Sequence, residues 1–201
     1  MYMVIPDYLN GDAVPPDALD NSNPRPWSHE WLQNHMQEKT HPVLNKVIAG
    51  LVKQGVKEFG AIGYCFGNCY VFDLVFNNVI KASVVCHPSL LEVPEDLEKY
   101  KKEAKAPLLL NTCTINIQFP PECQAKADKI LDHSKFSPAY KRVHWEGCTH
   151  RFAVHGDLSD PKVKAGKEGA FKSAVEWFIK YIGRDDSTNG RQGKMREGVK
   201  L

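Results

Sequence analysis

Residues 60–70, "GAIGYCFGNCY", place Cys65 at the centre of a G-x-C-x-G pentapeptide that runs from Gly63 to Gly67. The residues before it, near 58–63, read as a short strand, and the apolar run 69–76 reads as a helix. A strand that turns sharply into a helix at a thiol has two uses. It can bury a structural cysteine, or it can raise a nucleophile above the carboxyl end of a sheet strand. Glycines at 63 and 67 suit both, since they leave room for a strained backbone and for a helix packed closely on a strand.

Working outward, the same alternation repeats along the chain. "KASVVCH" (81–87) and "APLLLNTC" (106–113) read as buried strands, and "YKRVHWEG" (140–147) as a further strand. "MYMVI" (1–5) also reads as a strand, stopped by Pro6-Asp7. Helical spacing appears from a cap at Ser28 to about His35, over 41–55, at roughly 121–132, and over 161–182. Residues 9–27, rich in Pro, Asn and Asp, read as a surface excursion, and 184–201 as a polar, disordered tail beyond one domain at 1–183. Near-continuous apolar strands alternating with helices predict an α/β fold, a mostly parallel sheet with helices on both faces. In such sheets chemistry gathers beyond the carboxyl ends of the strands.

Composition narrows the function classes. The 201 residues are 42% hydrophobic with a net charge of +2, enough for one sizeable core and without the basic bias of a nucleic-acid or membrane-surface binder. No transmembrane run or signal-peptide pattern is present. Six scattered cysteines fit a reducing compartment better than a disulfide scaffold, so a cytoplasmic location is expected.

If Cys65 is a nucleophile, the helix that follows it lowers its pKa and the Phe66 N–H can hold an oxyanion. It then needs a base. Of eight histidines, His29, His35, His41 and His133 fall on helices or their edges and are expected to be solvated, while His144 sits inside a strand pattern. His87 ends a strand, and His150 lies in "EGCTHRFAVHGD", a loop after the last strand that can lean over the turn at Cys65. His150 is the preferred base. An orienting acid should follow "APLLL", yet "NTCTINIQFPPE" offers only Asn111, Thr112, Thr114 and Asn116 before Glu122. A zinc site on Cys65 and Cys69, or on Cys148 and His150, is disfavoured because the spacings match no common one, and no phosphate-binding glycine loop is present.

Together "GYCFGN", "VVCHPSLL", "LLLNTCTINIQFPPE" and "GCTHRFAVHGDLSDPKVKAGKEGAF" resemble the dienelactone hydrolase family of α/β-hydrolases, especially its fungal members, over about residues 1–182. The resemblance implies a Cys-His-Asp triad that opens enol-lactones and activated esters, with Cys65 as nucleophile, His150 as base and Asn116 at the acid's position. It implies no cofactor and no metal, and a small ester or lactone as the partner, bound by a monomer or homodimer. The sequence departs from the family's pattern at several points. Asn116 replaces aspartate, Arg151 replaces a common glycine, Asn68 replaces a usual glycine, and His155 stands where an arginine commonly holds a substrate carboxylate. Met1–Tyr8 resembles a strand partway into the family's domain, so an N-terminally truncated fold lacking the second oxyanion N–H is expected. His87, Arg151 and His155 are the expected substrate-contacting residues. A thiol can work with Cys-His-Asn, so a cysteine-dependent hydrolase of reduced activity is expected, improved by Asn116→Asp. The alternative is a non-catalytic, vestigial relative that acts as a binding protein.

Overall fold

The computed structural model describes residues 2–14, 27–132 and 136–183. Helices α1 (Trp27–His35) and α2 (Gln37–Lys53) precede strand β1 (Gly60–Tyr64). A single 3-10 turn, Cys65–Gly67, passes into α3 (Asn68–Phe76). Then β2 (Ala82–Cys86), α4 (Glu95–Glu103), β3 (Leu108–Ile115), α5 (Pro121–Ile130), β4 (Tyr140–Thr149) and α6 (Pro161–Ile182) complete the described chain.

The four strands form one parallel sheet in the order β1-β2-β3-β4, with Ile62 opposite Val84, Val84 opposite Leu109, and Leu109 opposite Lys141. A helix fills each connection, as parallel pairing demands. Alternation along the buried strands separates two cores. On one face Val85, Leu108 and Leu110 pack with Val71, Phe72 and Val75 of α3, Leu97 and Tyr100 of α4, and Ala127 of α5. On the other, Ala82, Val84, Cys86 and Leu109 pack under Ala174 and Trp177 of α6. The α/β-hydrolase arrangement expected from the sequence, a parallel sheet between helical layers, is the one found.

Three local expectations change. Residues 2–7 form no strand. Tyr2, Met3 and Ile5 are exposed, and the segment is tied down further along instead. The Tyr8 ring lies 4.6 Å from that of Tyr70, and Trp31 Nε1 donates to the Asp12 carbonyl. An apolar run becomes a strand only where a sheet edge accepts its backbone groups, and among the described residues β1 pairs only with β2. His35, expected to be solvated, is 8% exposed, stacked on Trp31 and in contact with Asp12. Helix α4 was not expected, because only Leu97 and Tyr100 of its nine residues are buried. The side chains of Ser28 and His29, residue His133 and the polar 184–201 segment lie outside the described residues.

Candidate active site

Strand β1 delivers Cys65 to the carboxyl edge of the sheet in a left-handed backbone conformation, φ 49°. A non-glycine residue there is strained by roughly 1–3 kcal/mol, and such strain concentrates at functional sites. The two flanking glycines differ in what they do. A Cβ at Gly63 would lie 2.5 Å from the Gly67 carbonyl oxygen and 2.8 Å from Val71 Cγ2, so the turn closes on the strand only without a side chain. Gly67 has an ordinary φ of −64°, and the nearest atom to a Cβ there is the Tyr8 hydroxyl at 3.9 Å. The expectation that both glycines are needed for packing thus holds at 63 alone. Phe66 supplies the first peptide N–H after Cys65 and, through its ring, packs on Tyr70 and Trp31.

The turn after β4 brings in His150, anchored by its own N–H to the Ile115 carbonyl at 2.8 Å. The loop after β3 brings in Asn116, which is 4% exposed. Its side chain has a definite orientation. Nδ2 donates to the Pro88 carbonyl at 2.8 Å, and Oδ1 accepts from the Gln118 N–H at 3.2 Å. Oδ1 also faces His150 Nδ1 at 3.1 Å, so Nδ1 carries the imidazole proton. His150 Nε2 is then the bare nitrogen, and it lies 3.0 Å from Cys65 Sγ. Three residues separated widely in sequence thus meet as a thiol, an imidazole and an amide in hydrogen-bonding sequence, a geometry that nucleophilic chemistry can use.

Electrostatics around His150 favour its neutral form. Burial, and then the Arg151 guanidinium, lower the His150 pKa from its ordinary value. Burial also pushes other thiols up: Cys69 to about 11, and Cys86 and Cys113 to about 12. All six cysteines are free.

His87 stands elsewhere than on a pocket wall. It is fully buried, with its ring 5.1 Å from that of His150 and 5.5 Å from Phe152, and neither ring nitrogen has a hydrogen-bond partner among the described residues. Burial first, then His150, lower its pKa to about 3, and the fully buried ring packs behind His150 without an exposed face. Arg151 adopts φ 76°, the left-handed conformation that a glycine takes freely and an arginine takes only under strain. His155 follows on the same exposed turn and donates its N–H to the Arg151 carbonyl. Asn68 is completely buried with neither end of its amide hydrogen-bonded among the described residues, where a glycine would leave nothing to satisfy.

Sequence reasoning missed Pro88, Ser89 and Gln118. Pro88 and Gln118 hold the Asn116 amide, and Ser89 Oγ lies 3.5 Å from Cys65 Sγ. A signal was present, because "HPS" follows directly on β2, where polar residues of a parallel sheet become candidates. A separate cavity of roughly 310 Å³ lies between Tyr64, Ala153, Leu158, Lys164, Lys167, Glu168 and Phe171. Neither Cys65 nor His150 lines it.

Residues 2–182 match the dienelactone hydrolase family. The chain is 29% identical over 181 residues to the hydrolase pyvD of Aspergillus violaceofuscus, covering 90% of this chain and 69% of that one. It is 30% identical over 186 residues to the hydrolase tropI of Talaromyces stipitatus, covering 90% and 70%. Among solved structures, a putative dienelactone hydrolase from Klebsiella pneumoniae superposes with a TM-score of 0.58 at 16% identity, over 75% of this chain and 64% of that one. This chain thus spans about two thirds of the length of such relatives. With a parallel sheet between helical layers and a family match over residues 2–182, the chain belongs to the dienelactone hydrolase family of α/β-hydrolases.

Proposed function

We propose that this family member is a cysteine-dependent hydrolase of a small lactone or ester, working through Cys65, His150 and Asn116. Membership of the family makes the chain a hydrolase. What supports the finer reading is the 3.0 Å approach of Cys65 Sγ to the unprotonated nitrogen of His150.

The steps follow from that contact. Sγ attacks the substrate carbonyl carbon while its proton passes to His150 Nε2. The carbonyl oxygen becomes an oxyanion facing the Phe66 N–H. As the tetrahedral adduct collapses, the C–O bond breaks and the departing oxygen takes the proton from Nε2, leaving a thioester on Cys65. A water then gives a proton to Nε2 and attacks the thioester. Collapse expels the sulfur, which recovers that proton, and the acid leaves. Asn116 keeps the imidazole in the required tautomer but adds no negative charge. The imidazolium formed in each step is less stabilised than beside an aspartate, and a slow enzyme is expected.

Replacing Cys65 by alanine, and separately His150 by alanine, tests the assignment. Each change is expected to lower kcat/KM for p-nitrophenyl acetate by at least about a hundredfold, the usual scale for a positioned proton-transfer group. Full activity in a folded Cys65→Ala chain would overturn it and favour the non-catalytic reading of this site.

A further inference from the structure

We infer that Ser89 is a fourth catalytic residue, whose hydroxyl donates to Cys65 Sγ and closes a one-directional ring of hydrogen bonds around the nucleophile. The inference rests on the proposed role of Cys65. It follows from the direction of each bond in turn. The Asn116 amide is oriented from outside the dyad, since Nδ2 faces the Pro88 carbonyl at 2.8 Å and the Gln118 N–H faces Oδ1 at 3.2 Å. With Oδ1 turned to His150, Nδ1 is the N–H and Nε2 has only a lone pair to offer Cys65. The thiol proton must then point at Nε2. Towards Ser89, 3.5 Å away, the sulfur can only accept, and the hydroxyl must donate.

The ring closes through the backbone. Ser89 donates to Cys65, Cys65 to His150, His150 to Asn116, and Asn116 to the carbonyl of Pro88, the residue bonded to Ser89. Ser89 is 3% exposed, and its hydroxyl's partner among the described residues is this sulfur. Its place is held on every side. His87 N–H bonds the Asn111 carbonyl at 2.8 Å, Leu90 N–H bonds Gln118 Oε1 at 3.2 Å, and both His87 and Leu90 adopt left-handed backbone conformations, with φ 38° and 58°. Strain at two positions of one short turn marks a segment held for a purpose.

Chemically, the donor favours the thiolate over the thiol. When the thiol proton moves to Nε2, the sulfur becomes an anion and the Ser89 bond becomes charge-assisted, roughly twice as strong as a neutral one. Without a triad carboxylate the ion pair is favoured less from the imidazolium side, where Asn116 Oδ1 is a neutral acceptor, and Ser89 favours it from the sulfur side. An aspartate at 116 could not close the ring, because as a carboxylate it has no proton to give Pro88.

The test is the pH dependence of Cys65 alkylation by iodoacetamide, read by mass spectrometry of the Cys65 peptide, in the unaltered chain and in Ser89→Ala and Ser89→Thr. Loss of the hydroxyl is expected to raise the midpoint by about one pH unit and slow alkylation at pH 7 about tenfold, with kcat lowered and the thermal melt little changed. Ser89→Thr, which keeps the donor, is expected to restore most of the rate. An unchanged midpoint in folded Ser89→Ala overturns the role of Ser89 while leaving Cys65 as nucleophile. Undiminished esterase activity in Cys65→Ala overturns the underlying assignment instead.

Discussion

Asn116 looks, in the sequence, like an acid that has been lost, and restoring it should then improve the enzyme. The structure changes that expectation. At 2.8 Å from the Pro88 carbonyl, the Asn116 Nδ2 is a donor meeting an acceptor. An aspartate would set a carboxylate oxygen there, buried and facing another oxygen. One hydrogen bond would be lost and a repulsion gained, a cost of about 1–3 kcal/mol for a buried unsatisfied group. Asn116→Asp is therefore expected to lower the melting temperature and to give no gain in kcat/KM at pH 7, measured by thermal denaturation and p-nitrophenyl acetate hydrolysis. A stable, faster variant would show that the loop moves to accept the charge. That Cys65 and His150 would come together was legible in the sequence because each sits next to a recognisable strand. The place of Asn116 beside His150 came from the family resemblance, but the anchoring of its amide was not legible, since it depends on a carbonyl contributed by a residue 28 positions away.

Among the elements, the tight joint between β1 and α3 and the turn after β2 govern the site. Gly63 is irreplaceable at the joint, where any side chain would press on the Gly67 backbone and Val71. Gly63→Ala is expected to destabilise the chain by about 1–3 kcal/mol, as overpacking does, seen as a lower denaturant midpoint in equilibrium unfolding. At the turn, His87 couples folding to pH. Its pKa falls from 6.5 in the unfolded chain to about 3 in the folded one. Between those values the unfolded chain binds a proton that the folded one refuses. Stability is thus full above about pH 6.5 and declines as pH falls below it, by at most about 1.4 kcal/mol per pH unit for this group. His150, also lowered, adds in the same direction. His87→Phe should flatten the slope between pH 6 and 4 in urea titrations, and an unaltered slope would contradict the assignment. Strands and long helices were readable from apolar runs and spacing, and the 161–182 helix was found at the bounds expected. Helix α4 was hidden because its two buried residues supply too little of a stripe, and "MYMVI" misled because composition cannot show whether a sheet edge is there to receive it.

At the scale of the whole molecule, the described sheet is open at β1, and beside it the outer stripe of α6 is bare. Phe171, Val175 and Ile179, four residues apart in turn, are 66%, 40% and 59% exposed. An unpaired edge strand next to an apolar stripe is a template for self-association. The 201-residue chain is expected to associate with rising concentration, and the double change Val175→Lys with Ile179→Lys to suppress this, as followed by sedimentation velocity. Concentration-independent sedimentation of the unaltered chain would contradict the expectation.

The proposed reaction passes through one covalent bond, a thioester on Cys65. Brief exposure of the chain to p-nitrophenyl acetate, followed by acid quench and peptide mass spectrometry, is expected to show one acetyl group, carried by the peptide containing Cys65 and absent from Cys65→Ala. Hydrolysis proceeding with no acyl group on Cys65, or with the group on another residue that the alanine variant keeps, would contradict it.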